Sequence, residues 1–231
     1  MERNKQQVNS KKEGILLVDK PAGITSHDVV DIARKKLNFR KIGHAGTLDP
    51  LAQGLLILLV GSYTKKFTKF AGFDKDYSGI LKLGEVTSTG DSEGEILERK
   101  EYRDISDQQI KEAVESFQGA TEQIPPMVSA LRKKGQRLYK LARKGVVIER
   151  KPRKINIYNC SLENISRPYL HFYVCCSKGT YIRKLAEDIG EKLGCGAHVT
   201  KIVREKIGPF NLNNSIKPES IDETHLQKVT F

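Results

Sequence analysis

The apolar positions of this 231-residue chain fall into two rhythms, and these mark out its elements. Residues 14–19 (Gly-Ile-Leu-Leu-Val-Asp) and 54–60 (Gly-Leu-Leu-Ile-Leu-Leu-Val) are short, nearly unbroken apolar runs, the pattern of buried strands. Residues 169–177 alternate instead, with Leu170, Phe172, Val174 and Cys176 opposite Tyr169, His171, Tyr173 and Cys175. Residues 75–84 and 154–158 also read as strands, and 95–100 as the hairpin partner of 75–84. Helical spacing places Val29, Val30, Ile32, Ala33 and Leu37 on one face of a helix capped by Thr25 or Ser26, with Asp28 in its first turn. Ile110, Val114 and Phe117 do the same for a helix over 106–118, where Ser106 caps, Gln109 closes a capping box and Ile105 meets Ile110 as a staple. Ile182, Leu185, Ala186, Ile189 and Leu193 line a third, capped by Thr180 and stopped by Gly194. Residues 62–70 read as a short basic helix, and 136–144 as another with Leu138, Leu141 and Ala142 on one stripe. The stretch 84–94, rich in Thr, Ser, Gly and Asp, reads as a loop. These elements predict an α+β fold, a mixed and largely antiparallel sheet flanked by helices, with a cleft across one face.

One stretch breaks the rhythm. Residues 40–51 hold Gly43, Gly46 and Pro50, which excludes a regular helix or a central strand. This loop carries His44 and Asp49, has Arg40 and Lys41 at its entrance, and runs straight into a buried strand, a usual setting for chemistry. Taken alone, its residues suit a plain Asp-Pro turn better.

Charge changes the picture more than composition does. Forty Lys and Arg stand against 28 Asp and Glu, a net charge of +12 that suits a polyanion. The excess is concentrated: between Arg132 and Lys154 lie eleven cations and one anion, Glu149, so +10 falls in 23 residues. A solvated helix face would alternate its charges, so this segment reads as a lobe that grips RNA, with Arg132, Lys133, Lys134 and Arg137 at its front. No run of about eighteen apolar residues is present and the first residues are polar, so neither a membrane span nor a signal segment is expected, and the protein is expected in the cytoplasm. The four cysteines, Cys160, Cys175, Cys176 and Cys195, form no C-x-x-C pair, so reduced thiols and no metal site are expected.

The string Gly43-His44-Ala45-Gly46-Thr47-Leu48-Asp49-Pro50-Leu51-Ala52-Gln53-Gly54-Leu55-Leu56 closely resembles the signature of the TruB family of tRNA pseudouridine synthases. A second motif, Ser177-Lys178-Gly179-Thr180-Tyr181-Ile182-Arg183, resembles that family in the expected order, more than a hundred residues later. Lys20-Pro21-Ala22-Gly23, Lys75-Asp76-Tyr77 and Pro125-Pro126-Met127-Val128-Ser129-Ala130 extend the likeness, which covers about residues 14–210. Val128 departs from it, standing where an aromatic is usual, and Ile202-Val203-Arg204 matches a Leu-Arg-Arg segment only in part.

The resemblance implies the pseudouridine synthase fold and an isomerase. It makes Asp49 the nucleophile, Tyr77 the residue that stacks on the base and helps move a proton, and Arg183 the partner of Asp49, expected to hold it by a two-pronged hydrogen bond. His44, Lys20, Lys178 and Ile202 become candidates for holding the RNA or lining the pocket. The implied substrate is uridine 55 in the T loop, the T-arm stem-loop of tRNA being the partner of a monomer. No atom is gained or lost when a uracil is cut from C1′ and rejoined through C5, so no cofactor or metal is expected. The domain reading is a disordered basic tail at 1–13, a catalytic domain at 14–210 that includes the basic lobe at 127–154, and a short extension at 211–231 in place of a full C-terminal PUA domain. Two other readings stand beside it: a noncatalytic RNA-binding or ribosome-assembly protein, and a sister synthase acting on ribosomal RNA.

Overall fold

The computed structural model describes residues 12–129, 132–133, 136–138, 141, 146 and 148–230. A nine-stranded sheet runs through them. Its main path starts with β1 (Gly14–Lys20) at one edge, paired antiparallel with β3 (Gln53–Val60). Then come β12 (Ala197–Ile207), β4 (Lys75–Leu83), β11 (Tyr169–Cys176), β10 (Arg153–Ser166) and β7 (Gly119–Gln123). Only the contact of β12 with β3 is parallel. Two short strands, β2 (Ile42–His44) on β3 and β13 (Phe210–Asn211) on β12, complete it.

The unbroken apolar run of β3 has a direct cause. Leu56, Leu58 and Val60 pack with Val29, Val30, Ala33 and Leu37 of and beside helix α1 (Ser26–Lys36), while Leu55, Ile57 and Leu59 pack on the other face with Tyr63, Phe70 and Ile207. A strand covered on both sides has no polar face to show. By contrast β4 alternates buried and half-buried residues along its whole length. Its buried set joins a third cluster with α3 (Asp107–Glu115) and α4 (Ile182–Lys192).

Several expectations hold closely. Thr25 caps α1 in a box with Asp28, and Ser106 caps α3 in a box with Gln109. Others need correction. Residues 42–44 of the expected loop form β2, because a glycine-containing segment is admitted at the margin of a sheet where it pairs on one side. Residues 96–99 form β6 (Ile96–Arg99), which pairs with β5 (Glu85–Thr87) in a separate hairpin and not with β4. The basic helix over 62–70 divides into a 3-10 turn, Gly61–Lys66, and a short helix α2 (Phe67–Ala71). Thr180 does not cap α4: its hydroxyl donates to the Ser177 carbonyl (3.0 Å), and Tyr181 takes the cap position without a side-chain bond. The strands β7 and β12 were not expected, and β10 runs eight residues past the predicted 154–158.

The outer edge of β1 is covered by the C-terminal segment. Ile216 exchanges backbone bonds with Leu17 and Asp19, Gln227 does so with Ile15, and Ile221 is buried in the α1 cluster. Among the described residues no helix is long and apolar enough to cross a membrane. The tail at 1–11 and most of the helix expected at 136–144 lie outside them.

Gly54 is required where β3 enters the sheet. Its φ is +99°, and a Cβ there would lie 2.5 Å from the Arg204 carbonyl oxygen and 2.8 Å from its nitrogen. Gly54→Ala therefore meets both a strained dihedral and a backbone clash, and is expected to cost at least about 2 kcal/mol in urea unfolding.

Candidate active site

The Asp49 loop is held from below by three buried side chains. Ser26, at the start of α1, accepts the Leu48 N–H (2.8 Å) and donates to the Leu48 carbonyl (3.1 Å). Lys20 ends β1 fully buried, its ammonium donating to the carbonyls of Pro21 (2.8 Å), Pro50 (3.2 Å) and Ala52 (2.6 Å). Burial lowers its pKa to about 8, which leaves it an ammonium at neutral pH. Arg204 on β12 is also buried, and its guanidinium donates to the carbonyls of Leu55 (2.8 Å), Gly46 (3.1 Å) and Thr47 (3.4 Å). Each cation satisfies several backbone carbonyls at once, in and around the loop.

Above that base lies a cavity of about 250 Å³. Asp49, Tyr77, Arg183, Ile202, Lys75, Tyr181 and Arg204 all line it. The Asp49 side chain is 38% exposed and that of Arg183 only 3%. Arg183 Nε donates to Asp49 Oδ2 at 2.9 Å. The expected two-pronged grip is absent, because the other arms are engaged elsewhere. Nη1 donates to the Thr89 carbonyl (2.9 Å) and lies 3.5 Å from buried Asp91, while Nη2 donates to the Val128 carbonyl (2.7 Å). One arginine thus ties three separate chain segments together and leaves a single N–H for the carboxylate.

The backbone just before Arg183 is fixed as well. Gln123, at the end of β7, accepts the Tyr181 N–H (2.7 Å) and donates to the Tyr181 carbonyl (3.0 Å). Tyr77 is 8% exposed; burial raises its phenol pKa, opposed by the Arg204 guanidinium. Lys75, whose ammonium donates to the Ala71 and Phe73 carbonyls, is lowered by burial to about 8.

The structure brings Asp49, Tyr77, Arg183 and Ile202 to one cavity. Lys178 is exposed beside Ser177 and Gly179 of its lining. Lys20 is placed beneath the loop and fully buried, a position that supports the loop. His44 lies on β2 and is not part of the lining. Arg132, Lys133 and Arg137 belong to a small hairpin, β8 (Arg132–Lys133) and β9 (Gln136–Arg137), and Lys134 lies outside the described residues. Sequence reasoning missed Gln123 and Asp91 altogether, held Lys75 only as part of the Lys75-Asp76-Tyr77 motif, and gave Arg204 no role. A lone polar residue at a strand end carries no pattern, and Arg204 stands among Lys201, Glu205 and Lys206, a composition that gives no hint of burial.

Residues 34–182 match the model of the TruB family pseudouridylate synthase N-terminal domain, and residues 183–229 match the tRNA pseudouridylate synthase B C-terminal domain. The chain belongs to the TruB family. Its relatives agree. A protein of Clostridium tetani named tRNA pseudouridine synthase B is 46% identical over 93% of this chain and 74% of its own length. One of Opitutus terrae with the same name is 42% identical over 96% of this chain and 92% of its own. A chain in the crystal structure of a Cbf5-Nop10-Gar1 complex has the same fold, with a TM-score of 0.70 at 29% identity over 89% of this chain; this chain spans about half of it, 52%. As a TruB pseudouridylate synthase the protein is an isomerase, built on the α+β sheet that its sequence predicts.

For this TruB enzyme, Arg183→Lys is the informative change. An ammonium is a point charge that cannot reach the Asp49, Thr89 and Val128 oxygens together. The rate of pseudouridine formation at saturating RNA is expected to fall at least about a hundredfold, with RNA affinity held within about threefold. Single-turnover assays with a parallel binding titration measure both.

Proposed function

We propose that this enzyme converts uridine 55, in the T loop of tRNA, to pseudouridine, with Asp49 as nucleophile and no cofactor. Support for tRNA as substrate comes from the names of the curated relatives. The role of Asp49 rests above all on one observation: the carboxylate is open to the cavity while its partner Arg183 is buried behind it, 2.9 Å away. Such a carboxylate is aimed and still accessible, which is what attack on the nucleoside requires.

The uridine leaves its stack and enters the cavity, where Tyr77 offers a buried ring and Ile202 an apolar wall. Asp49 attacks, the bond between N1 and C1′ breaks, and the uracil turns within the pocket. C5 then joins the sugar, Asp49 is released, and the proton lost from C5 reaches N1. Every atom of the uridine is retained, so the chemistry calls for no added group. Tyr77, its phenol kept neutral by burial, is placed to take part in the proton transfer.

Incubating the purified protein with tRNA and ribosomal RNA transcripts and mapping pseudouridine tests the reading directly. Modification of tRNA at the T-loop uridine alone is the expected result; modification confined to ribosomal RNA, or none, overturns it. Asp49→Asn keeps the shape and removes the charge, and is expected to abolish product while leaving tRNA affinity within several-fold. Turnover at a tenth of the wild-type rate would remove Asp49 from the nucleophile role. An isolated T-arm stem-loop is expected to be converted with kcat/KM within about tenfold of whole tRNA, since loops are read by shape and splayed bases.

A further inference from the structure

Outside the basic lobe the chain is divided by charge. Residues 34–69 hold eight cations, Arg34, Lys35, Lys36, Arg40, Lys41, Lys65, Lys66 and Lys69, against one anion, the Asp49 of the site. Residues 85–115 hold ten anions against four cations. The fold keeps the two apart. The acidic stretch forms the β5–β6 hairpin and α3, joined to the β12 and β10 side of the sheet through Gly84 to Gly196 and Arg167 to Ile105. The basic stretch lies at the β1–β3 end.

Within the basic stretch the backbone gathers three segments. Arg34 on α1 donates to the carbonyls of Arg40 (3.2 Å) and Ile42 (2.9 Å), which draws the entrance of β2 to the end of the helix. The Gly61 N–H donates to the Lys41 carbonyl (2.9 Å), which adds the 3-10 turn bearing Lys65. Lys35, Lys36, Arg40, Lys41 and Lys65 are all exposed. The neighbouring anions are engaged elsewhere: Asp31 with Arg34, Glu223 with Lys12, and Glu13 with the Ser62 hydroxyl. The other end of α1 touches the site, since Ser26 holds Leu48 next to Asp49. Eleven residues of helix therefore lead from the nucleophile to the patch, about 16 Å at 1.5 Å per residue.

We infer that the stem of the bound RNA leaves the cleft along α1, and that Lys35, Lys36, Arg40, Lys41 and Lys65 form a second phosphate-binding surface, separate from the lobe at 132–154. The occupant is duplex RNA backbone, because exposed flexible cations at this spacing fit a row of phosphates and present no apolar surface to a protein. The acidic β5–β6 and α3 side repels the same stem and fixes its direction. This inference rests on the RNA-substrate reading above.

The test is a binding titration of a T-arm stem-loop transcript across about 50 to 300 mM salt, which needs no turnover. Replacing Lys35, Lys36, Lys41 and Lys65 together by Ala is expected to weaken binding at least about tenfold at the lowest salt. The log–log salt slope should become shallower by about 3, at roughly 0.7–0.9 per lost phosphate contact. The four exposed positions converted to Arg should keep both values. A control set on the acidic side, Lys100, Arg103 and Lys111 to Ala, should leave the slope unchanged. An unchanged slope in the first set, or equal loss in the control, overturns the inference, the latter because net charge alone would then explain it. Failure to map pseudouridine in tRNA strikes the functional reading; failure of the slope to respond strikes only the surface.

Discussion

The Arg183 guanidinium is the constraint on which the site depends. It is almost wholly buried, and burying a cation is tolerable only where its donors are matched. The match comes from three directions: the loop between β5 and β6 through Thr89, the segment after β7 through Val128, and the loop before β3 through Asp49. None of these partners is near Arg183 in sequence, so the ion pair is a product of the whole sheet. Asp91, buried 3.5 Å away, adds a second negative charge on the side away from the cavity. Asp49 is left as the exposed carboxylate of the two, and Asp91 as the buried one.

The loop that carries Asp49 follows the same logic with different residues. Gly46 and Gly54 permit the chain to turn at positive φ, which brings loop carbonyls within reach of inward-pointing donors. Lys20 and Arg204 supply those donors from β1 and β12. A cation pointing inward beneath a catalytic loop behaves as a rivet: its charge is spent on backbone oxygens, and its loss leaves several buried acceptors unpaired at once.

Much of this was legible in the sequence, for identifiable reasons. The two capped helices announced themselves because a capping box is a local pattern that needs no tertiary context. The strands β1, β3 and β11 were legible through unbroken or alternating apolar runs. By contrast β12 was hidden, because Lys201, Arg204, Glu205 and Lys206 give it the composition of a surface segment although it is central in the sheet. The pairing of Asp49 with Arg183 was legible only through resemblance, and its geometry was not, since the arms of the guanidinium are directed by Thr89 and Val128. Lys20 was named through resemblance alone, and only the fold shows three carbonyls converging on it.

The long reach of these contacts sets the order in which the molecule can be made. Asp49 meets Arg183 across 134 residues, and the Leu55 carbonyl meets Arg204 across 149. During synthesis the first strands and α1 emerge with Lys20 and Ser26 to hold their loop, and the contacts from Arg204 wait until β12 has been translated and inserted between β3 and β4. A sheet completed by its late strands folds slowly and holds apolar edges open in the meantime. Asp49 is accordingly translated long before Arg183 and Arg204, and the contacts around it are completed only once α4 and β12 are in place.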